Sequence, residues 1–131
     1  MALAADDILA IQKLIADYNH CVDAGDGTGF ADLFTDGGSL DTGFNVVKGV
    51  DELKGFADFV PTMAPGARHL VSNVSIDGDG ANANARLYLQ MWSTAGGAGE
   101  TKLVITGRYE DTLRRDDGTW RFVTRKMIAD S

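Results

Sequence analysis

His20 and His69 are the only imidazoles in the 131-residue chain. A general base titrating near neutral pH is therefore one of these two or a perturbed carboxylate. His69 opens the run APGARHLVSNVSID and shares a strand face with Val71 and Asn73. It reads either as a half-buried strand histidine or as a base. His20 lies at helical spacing with Lys13, Ala16 and Asp17, away from the apolar stripe, which is a solvated position. Asp17 and Asp23 flank the end of the first helical segment, and a carboxylate that meets a histidine in an apolar cavity makes a usable acid/base pair. At ~100° per residue, Asp23 falls about 130° from the centre of the apolar stripe. Periodicity thus turns it outward unless the helix unwinds at the following AGDGTG. Tyr18 sits on the stripe itself, as a core residue whose hydroxyl needs a partner. Arg125 shares a strand face with Val123 and Met127; it fits a structural ion pair or a contact to an anionic group equally well.

Other chemistries lack their residues. Nucleophile-elbow, phosphate-loop, dinucleotide and HExxH patterns are absent. The lone Cys21 has no CxxC or Cys/His spacing, so no disulfide and no structural zinc are expected. The glycine-rich TAGGAGE has no following Lys-Ser/Thr and reads as a hairpin tip. Twelve basic against nineteen acidic residues give a net charge of -7, which repels phosphate backbones and anionic lipid surfaces. Nucleic-acid and membrane partners are not expected. The opening MALAADDILAIQKLI carries two aspartates where an export signal needs positive charge, and no apolar run approaches the ~18 residues of a membrane span. The expectation is a cytoplasmic protein.

These groups need elements to hold them. With 44% hydrophobic and 24% charged residues, the chain has the composition of one soluble domain over residues 1–131, able to bury roughly two-thirds of its unfolded surface. From Asp6 to Val22 the residues Ile8, Ile11, Leu14, Ile15, Tyr18, Cys21 and Val22 recur at helical spacing, with Asp6 or Asp7 as N-cap. Thr28 caps a predicted short helix through Ala31, Leu33 and Phe34, broken by TDGG, and 39–47 alternates as a strand pair. A third helix is predicted over 50–60, with Val50, Leu53, Phe56, Ala57 and Val60 on one face and Pro61 closing it. Residues 67–77, 80–94, 101–114 and 119–129 then alternate with period two between turn signals, the pattern of an antiparallel meander. In the second of these runs the even positions Tyr88, Gln90 and Trp92 face away from Leu87, Leu89 and Met91. Helices followed by strands make an α+β fold with the helices on one sheet face.

The segments IQKLIADYNHCVDAGDGTGFADLFTDGGSLD, VVKGVDELKGF, RHLVSNVSIDGDGANA and GRYEDTLRRDDGTWRFVTRKM together resemble the SnoaL-like branch of the NTF2-like superfamily over nearly the whole chain. The most specific pieces are the helix ending CVDAGD, the R-H-x-x-S-N strand opening and the GxYxDxxxRxDGxWxF hairpin. The resemblance implies a cone: three N-terminal helices packed on a strongly curved, mainly antiparallel sheet enclosing a pocket. Within that superfamily the sequence is similar to the scytalone dehydratase, hexachlorocyclohexane dehydrochlorinase and bile-acid dehydratase group. That similarity implies a cofactor-independent lyase or isomerase that uses an Asp-His pair to take a proton from a small hydrophobic, cyclic substrate. The pair falls on Asp23 and His69, a helix tyrosine on Tyr18 and a late-strand arginine on Arg125. Tyr88, Gln90 and Trp92 stand where one dehydratase carries a second pocket histidine and are candidate substrate contacts. Alternatives within the resemblance are a polyketide-cyclase-like or epoxide-hydrolase-like enzyme, or a non-catalytic ligand-binding or oligomerisation module. Leu9 and the sheet face around Trp92 suggest self-association as a homodimer or homotrimer.

Overall fold

The computed structural model describes residues 2–94 and 99–130. Helix α1 (Ala5–Ala24) buries Ile11, Leu14, Ile15, Tyr18 and Val22, the stripe that its periodicity predicts. Its N-cap is Ala4, not Asp6 or Asp7. Asp7 stands three residues inside instead, where its carboxylate accepts from the Ala4 N–H at 3.2 Å and from Trp120 Nε1 and Arg115 Nη1 at 3.0 Å each. A capping carboxylate thus also ties the first helix to the last hairpin. Gly25 ends α1 in the left-handed conformation at φ 70°.

Helix α2 (Gly27–Ala31) is capped by Asp26, whose carboxylate accepts from the Gly29 N–H at 2.9 Å, rather than by Thr28. It ends sooner than predicted, because Phe34 already opens strand β1 (Phe34–Asp41). TDGG does not break the chain there. It forms a bulge in β1, with Gly37 at φ 71° and the register against the neighbouring strand shifting between Phe34 and Ser39. A short β2 (Val46–Lys48) follows, then α3 (Val50–Met63). Helix α3 runs past Pro61 instead of stopping at it. The proline removes one N–H near the end of the helix, and the Ala64 N–H still donates to the Val60 carbonyl at 2.7 Å.

Strands β3 (Arg68–Gly78), β4 (Asn82–Ser93), β5 (Lys102–Asp116) and β6 (Thr119–Ala129) form the antiparallel meander that the period-two pattern predicts. Residues 95–98 of the expected tip TAGGAGE lie outside the described residues. The sheet order is β2-β1-β6-β5-β4-β3, and only the β1–β6 pair is parallel. The fold is the expected α+β arrangement, three helices on a mixed six-stranded sheet.

The sheet is not strongly curled, so the expected cone is corrected to an open sheet. Its irregularities are local, at register shifts between Ser72 and Ser75, Met91 and Trp92, and Thr112 and Leu113. Unbroken ladder between such points twists rather than curls. Enclosure comes instead from the helices laid on one face. Tyr18, Phe30, Phe34 and Phe122 form the aromatic centre of the core, with Tyr18 and Phe30 centroids 4.9 Å apart and Phe34 and Phe122 5.3 Å apart. No described helix is long and apolar enough to cross a membrane.

Candidate active site

Asp23 sits in the last turn of α1, and His69 is the second residue of β3. The helix stays regular through Ala24, so Asp23 reaches inward without the unwinding that its helical angle calls for. The start of β3 runs alongside the end of α1, off the apolar stripe, and presents His69 to that flank. Two contacts join the residues. The His69 backbone N–H donates to Asp23 Oδ2 at 3.1 Å, and His69 Nδ1 lies 2.5 Å from Asp23 Oδ1. One carboxylate therefore holds both the strand and the ring. The side chains are 9% and 14% exposed for His69 and Asp23 respectively, so little water competes for the contact.

His69 lines a cavity of about 520 Å³, whereas Asp23 stands behind it and is not part of the wall. With Nδ1 engaged by Asp23, Nε2 is the ring nitrogen left for a ligand. The walls are mostly apolar: Val22 from α1, Phe56 and Val60 from α3, Leu89 and Met91 from β4, and Met127 from β6. Phe44, Met63 and Val104 line it while also being solvent-exposed, which marks the mouth. Size and lining suit a small hydrophobic molecule.

Two tyrosines supply polar groups to this wall. Tyr18 and Tyr109 are each 2% exposed, their rings meeting edge-to-face with centroids 5.8 Å apart. Burial pushes the Tyr18 phenol well above its usual range, and burial likewise raises Tyr109, with the Arg125 cation opposing. Sequence reasoning misses Tyr109. Its only signal is parity: it shares the inward face of β5 with Asp111 and Leu113, a face on which a tyrosine looks like core.

Arg125 is fully buried and does not line the cavity. Its guanidinium carbon lies 3.5 Å from the Tyr109 ring centroid, 4.2 Å from that of Tyr18 and 4.8 Å from that of Phe122. Its Nε is 3.0 Å from Asp111 Oδ1, from the paired position on β5. Burial pushes the Asp111 carboxyl up to about 6, against the pull of Arg125. Of the two sequence readings, the structure places Arg125 in an ion pair behind the tyrosines.

Tyr88, Gln90 and Trp92 are on the opposite face of β4 from Leu89 and Met91, outside the cavity wall. Tyr88 is 58% exposed and Trp92 Nε1 donates to Gln90 Oε1 at 3.3 Å. His20 is exposed on α1. Among the described residues no three His, Cys, Asp or Glu side chains are grouped to hold a metal ion.

A sequence profile described as a SnoaL-like domain matches residues 4–126. Among solved structures, Rv3472, a protein of unknown function from Mycobacterium tuberculosis, is 31% identical, with a TM-score of 0.88 over 95% of this chain and 72% of that one. A cystatin-like-fold protein of unknown function from Nostoc punctiforme is 28% identical, with a TM-score of 0.88 over 99% of this chain and 96% of that one. A candidate scytalone dehydratase from Novosphingobium aromaticivorans shares the fold at 24% identity and a TM-score of 0.83, over 95% of this chain and 85% of that one. Among curated proteins no sequence matches the chain.

Proposed function

The chain belongs to the SnoaL-like domain family, and from that membership and its buried Asp23–His69 pair we propose that it is a cofactor-independent lyase or isomerase of the dehydratase type. The observation that carries the reading is the 2.5 Å contact of Asp23 with His69 Nδ1 at the wall of an apolar cavity. Asp23 orients the ring and stabilises the imidazolium that forms when Nε2 takes a proton. The 520 Å³ volume and apolar lining favour a small, uncharged, cyclic substrate whose acidic carbon lies next to a carbonyl. Tyr18 lines the same cavity, its ring edge-to-face with that of Tyr109. The fold shared with a candidate scytalone dehydratase supports elimination as the reaction class.

The test uses 3-hydroxycyclohexanone as a probe, following conversion to cyclohexenone by ultraviolet absorbance and solvent deuterium uptake beside the carbonyl by NMR. His69→Ala is expected to lower both by at least ~100-fold, the usual contribution of a general base, with the fold retained by circular dichroism. Equal turnover in the variant would sink the reading. Binding of cyclic ketones by the wild-type protein with neither exchange nor elimination would instead assign the cavity to ligand carriage.

A further inference from the structure

Elimination of water needs a base for the carbon-bound proton and an acid for the departing hydroxide; identifying the acid rests on His69 being the base. Among the described cavity-lining residues, only His69, Tyr18 and Tyr109 carry titratable groups. His69 receives the carbon proton, and Asp23 stands behind it, outside the wall. Of the two tyrosines, Tyr109 lies nearer the buried Arg125 cation, its ring centroid 3.5 Å from the guanidinium carbon against 4.2 Å for Tyr18.

The surroundings of Tyr109 suit a phenol that must give up its proton. The Arg125 guanidinium carbon is 3.5 Å from its ring centroid, with no exposure to solvent. The Arg125 Nη1 and Nη2 groups have no hydrogen-bond acceptor among the described residues, so the cation faces the aromatic rings and the Asp111 carboxylate. A buried cation against the ring favours charge on the phenolic oxygen far more than one in water would.

We propose that Tyr109 is the general acid of this site, hydrogen-bonding and protonating the leaving oxygen of the substrate, with Arg125 as the positioning residue that stabilises its phenolate. In the step, His69 Nε2 takes the proton from carbon and the C–H electron pair becomes the C=C bond. The C–O bond breaks toward oxygen, and the Tyr109 proton completes a water molecule. The imidazolium proton then returns to the Tyr109 phenolate through that water, restoring both groups.

Two probes separate this role from a structural one: 3-hydroxycyclohexanone, which must lose hydroxide, and 3-(4-nitrophenoxy)cyclohexanone, whose leaving group departs without a proton. Tyr109→Phe keeps the ring over Arg125 and removes only the hydroxyl. It is expected to lower kcat about 100-fold on the hydroxy probe and to stay within about threefold of wild type on the nitrophenoxy probe. Equal loss on both probes, or loss on neither, overturns the assignment while His69 keeps its role. His69→Ala that retains turnover on the nitrophenoxy probe overturns the base itself, and the acid with it.

Discussion

Asp23 makes two contacts to one residue, to the ring and to the backbone N–H of His69, and the two have different consequences. The ring contact selects the tautomer with hydrogen on Nδ1 and leaves Nε2 as acceptor. Asp23→Asn keeps the shape and an oxygen for the backbone N–H but replaces a carboxylate by a group that can donate to Nδ1. The expected result is a loss of kcat of at least ~100-fold with little change in Tm, read from turnover and from the loss of the downfield imidazole N–H resonance. Much of this pair is legible in CVDAGD and RHLVSN as motifs. It is not legible in the helix angle, because angle describes the helix alone and not the strand that approaches its flank. Tyr109 is the converse. Alternation correctly turns it inward, but nothing in one sequence separates an inward tyrosine that faces a cavity from one that fills a core.

At the scale of elements, Gly25 decides where α1 stops and therefore where Asp23 stands. It is at φ 70°, and a Cβ there would come within 2.8 Å of Pro61 Cγ on α3. Gly25→Ala is expected to destabilise the fold by about 1–2 kcal/mol for the left-handed conformation, more once the proline is displaced, measured by urea denaturation. The long strands are predicted to within a few residues, and β4 and β5 show why, alternating exposed and buried positions along most of their length. The short elements are not. Leu33 and Phe34 continue the apolar spacing of α2, yet Phe34 pairs with Phe122 across the sheet and its ring packs on it. Tertiary pairing outweighs propensity where an element is only five residues long. Pro61 misleads for a related reason: a stop signal near a C-terminus costs only one hydrogen bond, and packing carries the helix on for two more residues.

For the whole molecule, the buried Asp111 makes stability depend on pH against the usual trend. Its carboxyl titrates at about 6 in the fold, above the ordinary carboxylate value. Between about pH 4 and 6 the folded chain therefore holds a proton that the unfolded chain releases. The stability this group contributes is present at the acid end of that window and lost as pH rises through it. Asp111→Asn is neutral throughout. Its stability relative to wild type is expected to rise from pH 4 to pH 6 and to level off above, as followed by denaturant unfolding at fixed ionic strength. A difference that stays flat across the window would contradict the raised carboxyl.

Strand β6 lies between β5 and β1, and its partnership with β1 is the sheet's one parallel pairing. On a growing polypeptide this sets an order of events. The β1–β2 pair emerges early and can pack on α3, but it gains no further strand partner until residues 119–129 have been made, because β6 is the strand that stands beside β1. Such distant pairings close slowly. Asp23 and His69 are both available well before that moment, whereas the cation under the tyrosines arrives with β6 itself. During synthesis the base is thus assembled ahead of the group that steadies the acid, and the reaction chamber gains its floor only when translation has delivered its final strand.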